Sequence, residues 1–234
     1  KNMYYIIQAS DGEEGIQIAL NKIPDIIISD LMMPKKDGLE LTKTLKNDER
    51  TSHIPIILLT AKAGDDNELT GIEFGADDYI TKPFNQKILE RKTASLVALR
   101  KKLQSRYSQE IILRPKEIAI SSVDEKFLSK LQKILDNKLI DPAFNAADFS
   151  TAIHMSRMQL HRKLKALTGL STTEFIRSQR LKLATQMLKK PGINISEVGY
   201  SVGFNNHAYF SKCFKEVYHC TPSEYIASHN TKIQ

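Results

Sequence analysis

Three apolar runs of strand length punctuate the first half of the chain: Tyr4–Ala9 (YYIIQA), Asp25–Ser29 (DIIIS) and Ile54–Thr60 (IPIILLT). A fourth, weaker run is Asp78–Thr81 (DYIT). Helical spacing fills the intervals over Glu13–Lys22, Leu39–Lys46 and Asp66–Phe74, and from Gln86 to about Arg106. Short, β-branched runs separated by helices predict βα units around a parallel sheet covered on both faces. Right-handed crossovers then gather the C-terminal ends of the strands along one edge, where open α/β sheets build their sites.

The second half changes period. Asn145-Ala-Ala-Asp148-Phe149 and Asn194-Ile-Ser-Glu197-Val198 share one layout, each with an asparagine suited to N-capping and an acid three positions on. After a short turn Leu160 matches Phe210, Leu164 matches Phe214 and Leu167 matches Val217, at the i, i+4, i+7 spacing of an apolar helix face. Each unit therefore reads as a short helix, a tight turn (around His154–Met155 and Gly203–Phe204) and a second helix. Between the units, Ser171-Thr-Thr-Glu174 opens a helix reaching about Lys189 before Pro191-Gly192. Thr221-Pro-Ser-Glu224 opens another, with proline at its first position.

Charge separates the halves. Lys1–Glu110 carries 16 Lys+Arg against 17 Asp+Glu, whereas Ile111–Gln234 carries 18 against 10. A near-neutral half joined to a basic half suits a regulatory domain tethered to a polyanion binder. No apolar run approaches the length of a membrane span, Lys1–Ser10 does not read as a signal peptide, and Cys213 and Cys220 make neither a disulfide framework nor a metal quartet. A cytoplasmic location is expected. Cys213, Tyr209 and Phe210 read as packed residues rather than as a redox centre or a stacking platform.

Three strands end in residues able to do phosphoryl chemistry. Asp30 closes DIIIS, Thr60 closes IPIILLT and Lys82 follows DYIT. A carboxylate can accept a phosphoryl group as an acyl phosphate, while a hydroxyl and an ammonium bind its oxygens. Any one alone is ordinarily a polar residue that turns or caps the chain. The three together, in order, are a narrower coincidence.

The segments Asp30-Leu-Met-Met-Pro34-Lys-Lys-Asp-Gly38, Leu59-Thr60-Ala61 and Gly75-Ala-Asp-Asp-Tyr79-Ile-Thr-Lys82-Pro83-Phe84 resemble the receiver domain of two-component response regulators. The resemblance implies a flavodoxin-like fold and names Asp30 as phosphoacceptor, Thr60 as switch hydroxyl, Lys82 as phosphoryl-binding lysine and Tyr79 as the aromatic rotamer switch. It also implies a cis bond before Pro83 and a Mg²⁺ held by Asp30 and the backbone carbonyl of Met32. The family's acidic pair, which ends its first strand, is not present in this sequence. Only 29 residues precede Asp30, and they already hold the second strand and second helix, so the first strand and helix are lacking. Asp11, Glu13 and Glu14 come too late to stand in. Either residues precede these in the natural protein or the receiver is degenerate. The former is expected, because a sheet without its central strand exposes two unpaired edges.

Opposite the apolar stripe, the second helix of the first unit carries Met158, His161, Arg162 and Lys165; that of the second carries Ala208, Ser211, Lys212 and Lys215, with His207 on the preceding turn. Such a face is commonly just solvated, but a helix also fits the major groove, where Arg or Lys reads guanine. Arg180-Leu-Lys-Leu-Ala184, Val202-Gly-Phe204, Tyr209-Phe-Ser-Lys-Cys-Phe214-Lys215 and Thr221-Pro-Ser-Glu-Tyr225 resemble the AraC-type DNA-binding domain. By position the resemblance makes Met158, His161, Arg162, His207, Ala208, Ser211 and Lys212 the base-reading residues. His219 departs from the glycine usual after the second reading helix, a place where Gly169 keeps it in the first.

The expected organisation is a receiver domain over 1–106, a linker over 107–123 containing Pro115, and an AraC-type domain over 124–234. The combination resembles both stand-alone response regulators and the C-terminal part of hybrid sensor–regulators. It implies a sequence-specific, non-enzymatic transcription regulator that binds double-stranded DNA, takes its phosphoryl group from a histidine kinase and works as a homodimer. The alternative is a phosphorylation-independent DNA-binding protein whose degenerate receiver only dimerises. A haloacid-dehalogenase-like phosphohydrolase would need an acid two positions after Asp30, where Met32 stands. The sequence leaves open the operator, the kinase and its signal, and the sign of regulation.

Overall fold

The computed structural model describes residues 4–61, 75–109, 121–190 and 192–230. Helix α1 (Gly12–Lys22) is capped by Asp11, whose side chain accepts from the amide of Glu14 at 2.9 Å. Strand β1 (Ile27–Asp30) follows, then α2 (Gly38–Asn47), whose capping box pairs Asp37 with Glu40. Next come β2 (Ile56–Thr60), β3 (Asp78–Thr81) and the long α3 (Gln86–Gln109). The sheet is parallel in the order β1-β2-β3, with Asp30 level with Leu59 and Thr60 level with Thr81. β2 is buried nearly throughout, as a strand covered on both faces must be. Ile16, Ala19, Leu41, Leu45, Ile56 and Leu58 close α1 and α2 over it.

Tyr4–Ala9 is not a strand. It has no ladder partner, and its side chains face solvent, Tyr5 at 92% exposure and Ile6 at 76%. An extended segment is stabilised only by a neighbour that takes its hydrogen bonds, and among the described residues β1 has none on its outer side. The helix expected over Asp66–Phe74 and the joint at Pro115 lie outside the described residues.

The second half is helical: α4 (Ser122–Lys138), α5 (Ala146–Ala152), α6 (Arg157–Thr168), α7 (Thr172–Met187), α8 (Ile195–Ser201), α9 (His207–Tyr218) and α10 (Pro222–Asn230). The repeat read from the sequence is present as α5–α6 and α8–α9. Asn145 caps α5 in a capping box with Asp148, and Asn194 accepts from the amides of Ser196 and Glu197. The turn inside the first unit has His154 at φ 57°, and that inside the second has Gly203 at φ 93°. Two cores result. Phe127, Leu131, Phe149, Leu160, Leu164 and Phe175 fill the first; Leu181, Val198, Phe204, Phe210, Cys213 and Phe214 fill the second. Helix α7 contributes its N-terminal half to one core and its C-terminal half to the other. Arg180, in its middle, donates to the carbonyls of Leu139, Asp141 and Phe144 at 2.9, 2.7 and 3.1 Å. The doubly wound α/β half followed by an all-α half with two helix-turn-helix units is thus the fold the chain adopts.

Candidate functional site

Parallel register delivers the C-terminal ends of the three strands to one edge. Asp30 ends β1, Thr60 ends β2, and Lys82 follows β3 with its amide donating to the Thr60 carbonyl at 2.6 Å. From there Lys82 Nζ forms an ion pair and hydrogen bond with Asp30 Oδ2. The Met32 amide donates to Asp30 Oδ1 at 3.3 Å. Burial works against ionisation of Asp30, but the hydrogen bonds from Lys82 and from the amides of Met32 and Leu31 outweigh it and hold the carboxyl below its usual range. Asp30 is therefore an anion that carries its own counter-ion, yet its side chain is 38% exposed and can be approached.

The other expected pocket residues lie where the edge requires. Thr60 is 6% exposed, and the Tyr79 ring packs half-buried against the α1–α2 cluster. The Lys82–Pro83 bond is cis. The chain leaving β1 turns back tightly, since the Gly38 amide donates to the Leu31 carbonyl at 2.9 Å and a Cβ on Gly38 would stand 2.4 Å from the Asp30 carbonyl.

Magnesium ions prefer six oxygens in octahedral array. Asp30 is the pocket's carboxylate, and its two oxygens already meet Lys82 and the Met32 amide. Asp11 is taken up in capping α1 and in an ion pair with Lys35 at 2.6 Å. Among the described residues no three His, Cys, Asp or Glu side chains converge. The donor set of these residues does not by itself fit the ion.

The second candidate site is the pair of helices α6 and α9, each the second of its helix-turn-helix unit. Met158 and Ala208, His161 and Ser211, and Arg162 and Lys212 occupy equivalent places on α6 and α9. Met158, His161, Ala208 and Lys212 are exposed. Arg162 is half-buried, and its guanidinium nitrogen Nη1 is shielded from solvent with no hydrogen-bond partner. The His207 ring lies between Ser196 Oγ of α8 (3.3 Å from Nδ1) and Ser211 Oγ (3.5 Å from Nε2), so it also ties the two helices of its unit together. Tyr209, expected in the core, is 50% exposed with its ring 6.1 Å from that of Phe204, whereas Phe210 is fully buried as expected. His219 takes the left-handed C-cap at φ 59°, the conformation Gly169 takes at φ 76°.

Sequence reasoning missed one cluster. Lys163 Nζ is fully buried against Asp124 Oδ1 and Ser52 Oγ, and Ser52 Oγ donates to Asp124 Oδ1 at 2.8 Å. The signal for Lys163 was present, because it stands three residues after Leu160 and one before Leu164, on the apolar side of α6. Nothing local marks its partners, which lie 39 and 111 residues away.

Comparison with known proteins bears on both sites. Residues 1–94 match the model of the response regulator receiver domain, and residues 149–228 match that of a helix-turn-helix domain. Histidine kinase P4 of Formosa agariphila is 40% identical over 225 residues, 96% of this chain and 16% of that protein. The phosphate regulon transcriptional regulatory protein PhoB of Pseudomonas aeruginosa is 45% identical over 86 residues, 37% of this chain and 38% of that one. A solved receiver domain of a signal transduction histidine kinase from Syntrophus aciditrophicus is 34% identical, covering 41% of this chain and 73% of that one at a TM-score of 0.39. The chain thus spans less than two fifths of the length of these two curated relatives. Among the described residues no helix is long and apolar enough to cross a membrane.

Proposed function

The chain joins a response regulator receiver domain to an AraC-type helix-turn-helix domain, and from that premise we propose a transcription regulator whose DNA binding is controlled by phosphorylation of Asp30. The receiver is assigned to 1–106, the linker to 107–123 and the DNA-binding domain to 124–234. The observation that carries the reading is the ion pair between Asp30 and Lys82 at the C-terminal edge of a parallel sheet. An Asp30 carboxylate oxygen attacks the phosphorus of a phosphohistidine on the donor kinase. The bond from phosphorus to the imidazole nitrogen breaks, and the nitrogen keeps the electron pair. Lys82 then offsets the charge gained, Thr60 accommodates a phosphoryl oxygen, and Tyr79 repacks as that side of the pocket tightens.

The DNA-binding half reads a duplex through Met158, His161 and Arg162 of α6 and through His207, Ala208, Ser211 and Lys212 of α9. Exposed Lys165 and Lys215 supply contacts to phosphates. Helix α7, shared by both cores, fixes the separation of the reading helices, which should approach one DNA turn of about 34 Å if both enter one face. Phosphorylation acts by changing homodimerisation or by freeing the basic half. This is a regulator's arrangement rather than an enzyme's. A second reading, in which the receiver only dimerises, is favoured by the poor fit of the pocket's donors to Mg²⁺.

The test is the intact mass of the chain after incubation with acetyl phosphate and Mg²⁺, beside Asp30→Asn. A phosphoryl gain of wild type alone is expected. No gain in either folded protein would remove Asp30 as acceptor in this chain and leave the dimerisation reading.

A further inference from the structure

Helix α9 is fastened along three lines. Phe210, Cys213 and Phe214 hold its apolar face in the second core. Burial of apolar surface is non-directional, so it settles how deeply the helix sits more than how it is rolled about its axis. Roll is settled by directional bonds on the flanks. On one flank His207 lies between Ser196 of α8 and Ser211. On the other, Tyr209, Cys213 and Glu216 follow one another at i, i+4 and i+7, and one side chain of α7 meets all three.

That side chain is Arg177. Its Nη1 donates to Cys213 Sγ at 3.8 Å and stands 4.0 Å from Glu216 Oε2. The guanidinium also hydrogen-bonds the Tyr209 side chain. Just before it in the chain, Phe175 and Ile176 are packed in the first core. The tie therefore runs from a stretch of α7 anchored in the first unit to the second helix of the other. The first unit holds α6 differently. Gln159, at the place of Tyr209, is taken up in the capping box of α6, and Lys163, at the place of Cys213, pairs with Asp124 of α4. What Asp124 supplies to α6, Arg177 supplies to α9.

The consequence is geometric. Side-chain tips lie about 5–6 Å from a helix axis, so a roll of roughly 20° carries them about 2 Å. Base-edge hydrogen bonds form only over about 2.7–3.2 Å. Such a roll takes Ser211 and Lys212 out of register with base edges and leaves the phosphate contacts, which carry no sequence information, largely in place. We propose that Arg177 is a positioning residue for DNA reading: anchored in the first unit, it sets the roll of α9 and with it the bases that Ser211 and Lys212 meet. The inference rests on the DNA-binding reading above and adds a residue, outside both reading faces, on which the second half-site depends.

The probe for the test is a duplex enriched from a random pool by the wild-type full chain, together with its single-base-pair variants. Affinity is followed by fluorescence anisotropy at several salt concentrations. Lys212→Ala marks the positions read by α9, and the remaining specific positions are the internal reference. Arg177→Gln is expected to lower discrimination at the α9 positions by about fivefold or more and to change the reference positions by less than about twofold. Its dependence of affinity on salt should stay that of wild type. A uniform loss of affinity with a salt slope shallower by about one would make Arg177 a phosphate contact instead. An equal loss of discrimination at both sets of positions, or none, would make it a structural residue. Either result overturns the proposal, as does the absence of any position that depends on Lys212.

Should Arg177→Gln fail to fold, Tyr209→Phe serves, because it removes one hydroxyl from an exposed side chain. Loss of discrimination at the α9 positions alone is expected, and no loss would overturn the proposal. Where both variants fold, the double variant should lose no more than the worse single one, since both break the same tie. Additive losses would overturn it. Failure of the wild-type chain to enrich any duplex would instead overturn the DNA-binding reading, and the positioning role with it.

Discussion

Replacing Gly203 by alanine tests how the two helix-turn-helix units are locked together. Gly203 has φ 93°, where an L side chain costs about 1–2 kcal/mol. Its added Cβ would also stand 2.9 Å from both Arg180 Nε and the Leu139 carbonyl, and 3.1 Å from the Ile140 carbonyl. Those atoms are the clamp by which α7 holds the end of α4, so the methyl group forces Arg180 away from its carbonyl partners. Losing one charge-assisted hydrogen bond costs roughly 1.5–3 kcal/mol. The two costs together are about 2.5–5 kcal/mol. Gly192→Ala is the control, because Gly192 has φ 70° with no atom within 4 Å of the added Cβ; only the backbone cost of about 1–2 kcal/mol applies. The assay is hydrogen exchange of the amides of α7 and α9 in the full chain, read as local opening free energies. Equal loss of protection in the two variants would refute the reasoning, since it would mean that Gly203 is a turn and not part of the joint.

Two further outcomes follow from single side chains. Burial first, and then the positive charges of Lys163, Arg100 and Lys46, push the pKa of His53 well below its usual 6.5. The unfolded chain takes up that proton below about pH 6.5 and the folded chain does not, so stability is fully present above 6.5 and falls as pH drops beneath it. The slope is at most about 1.4 kcal/mol per pH unit for one proton. Urea midpoints between pH 7.5 and 5.5 should show this fall, and His53→Asn should flatten it; an unflattened profile would place the proton elsewhere. His219→Gly should stabilise the end of α9 by about 0.5–1 kcal/mol, the left-handed cost less the entropy of glycine. A drop in melting temperature would show that the His219 side chain contributes something its φ of 59° does not reveal.

The chain's local chemistry made much of this readable in advance. β2 and β3 stand where β-branched runs stood, and the capping asparagines and serines mark helix starts in the folded molecule as they did in the sequence. The meeting of Asp30 with Lys82 followed from topology, because parallel strands must bring their C-terminal ends to one edge. Tyr4–Ala9 failed for the complementary reason: its composition is that of a strand, but composition cannot supply the neighbour that takes its hydrogen bonds. Tyr209 failed because its neighbour Phe210 already fills the core-facing position, which leaves Tyr209 at the rim. Lys163 stands on the apolar side of α6, but the general expectation that lysine on a helix is solvated hid that signal, and no local pattern points to its partners 39 and 111 residues away.

The open side of β1 has a practical consequence for anyone weighing the chain's state of assembly. Among the described residues β1 has no neighbour on its outer side, and Tyr5 in the preceding apolar segment is 92% exposed; an unpaired strand edge is a template for adding further strands. Copies of this polypeptide that meet at millimolar concentration have there a means of sticking together that owes nothing to signalling. An apparent dimer seen by scattering should be credited to regulation only if it responds to Asp30 and persists when lysines at Ile6 and Ile28 blunt that edge.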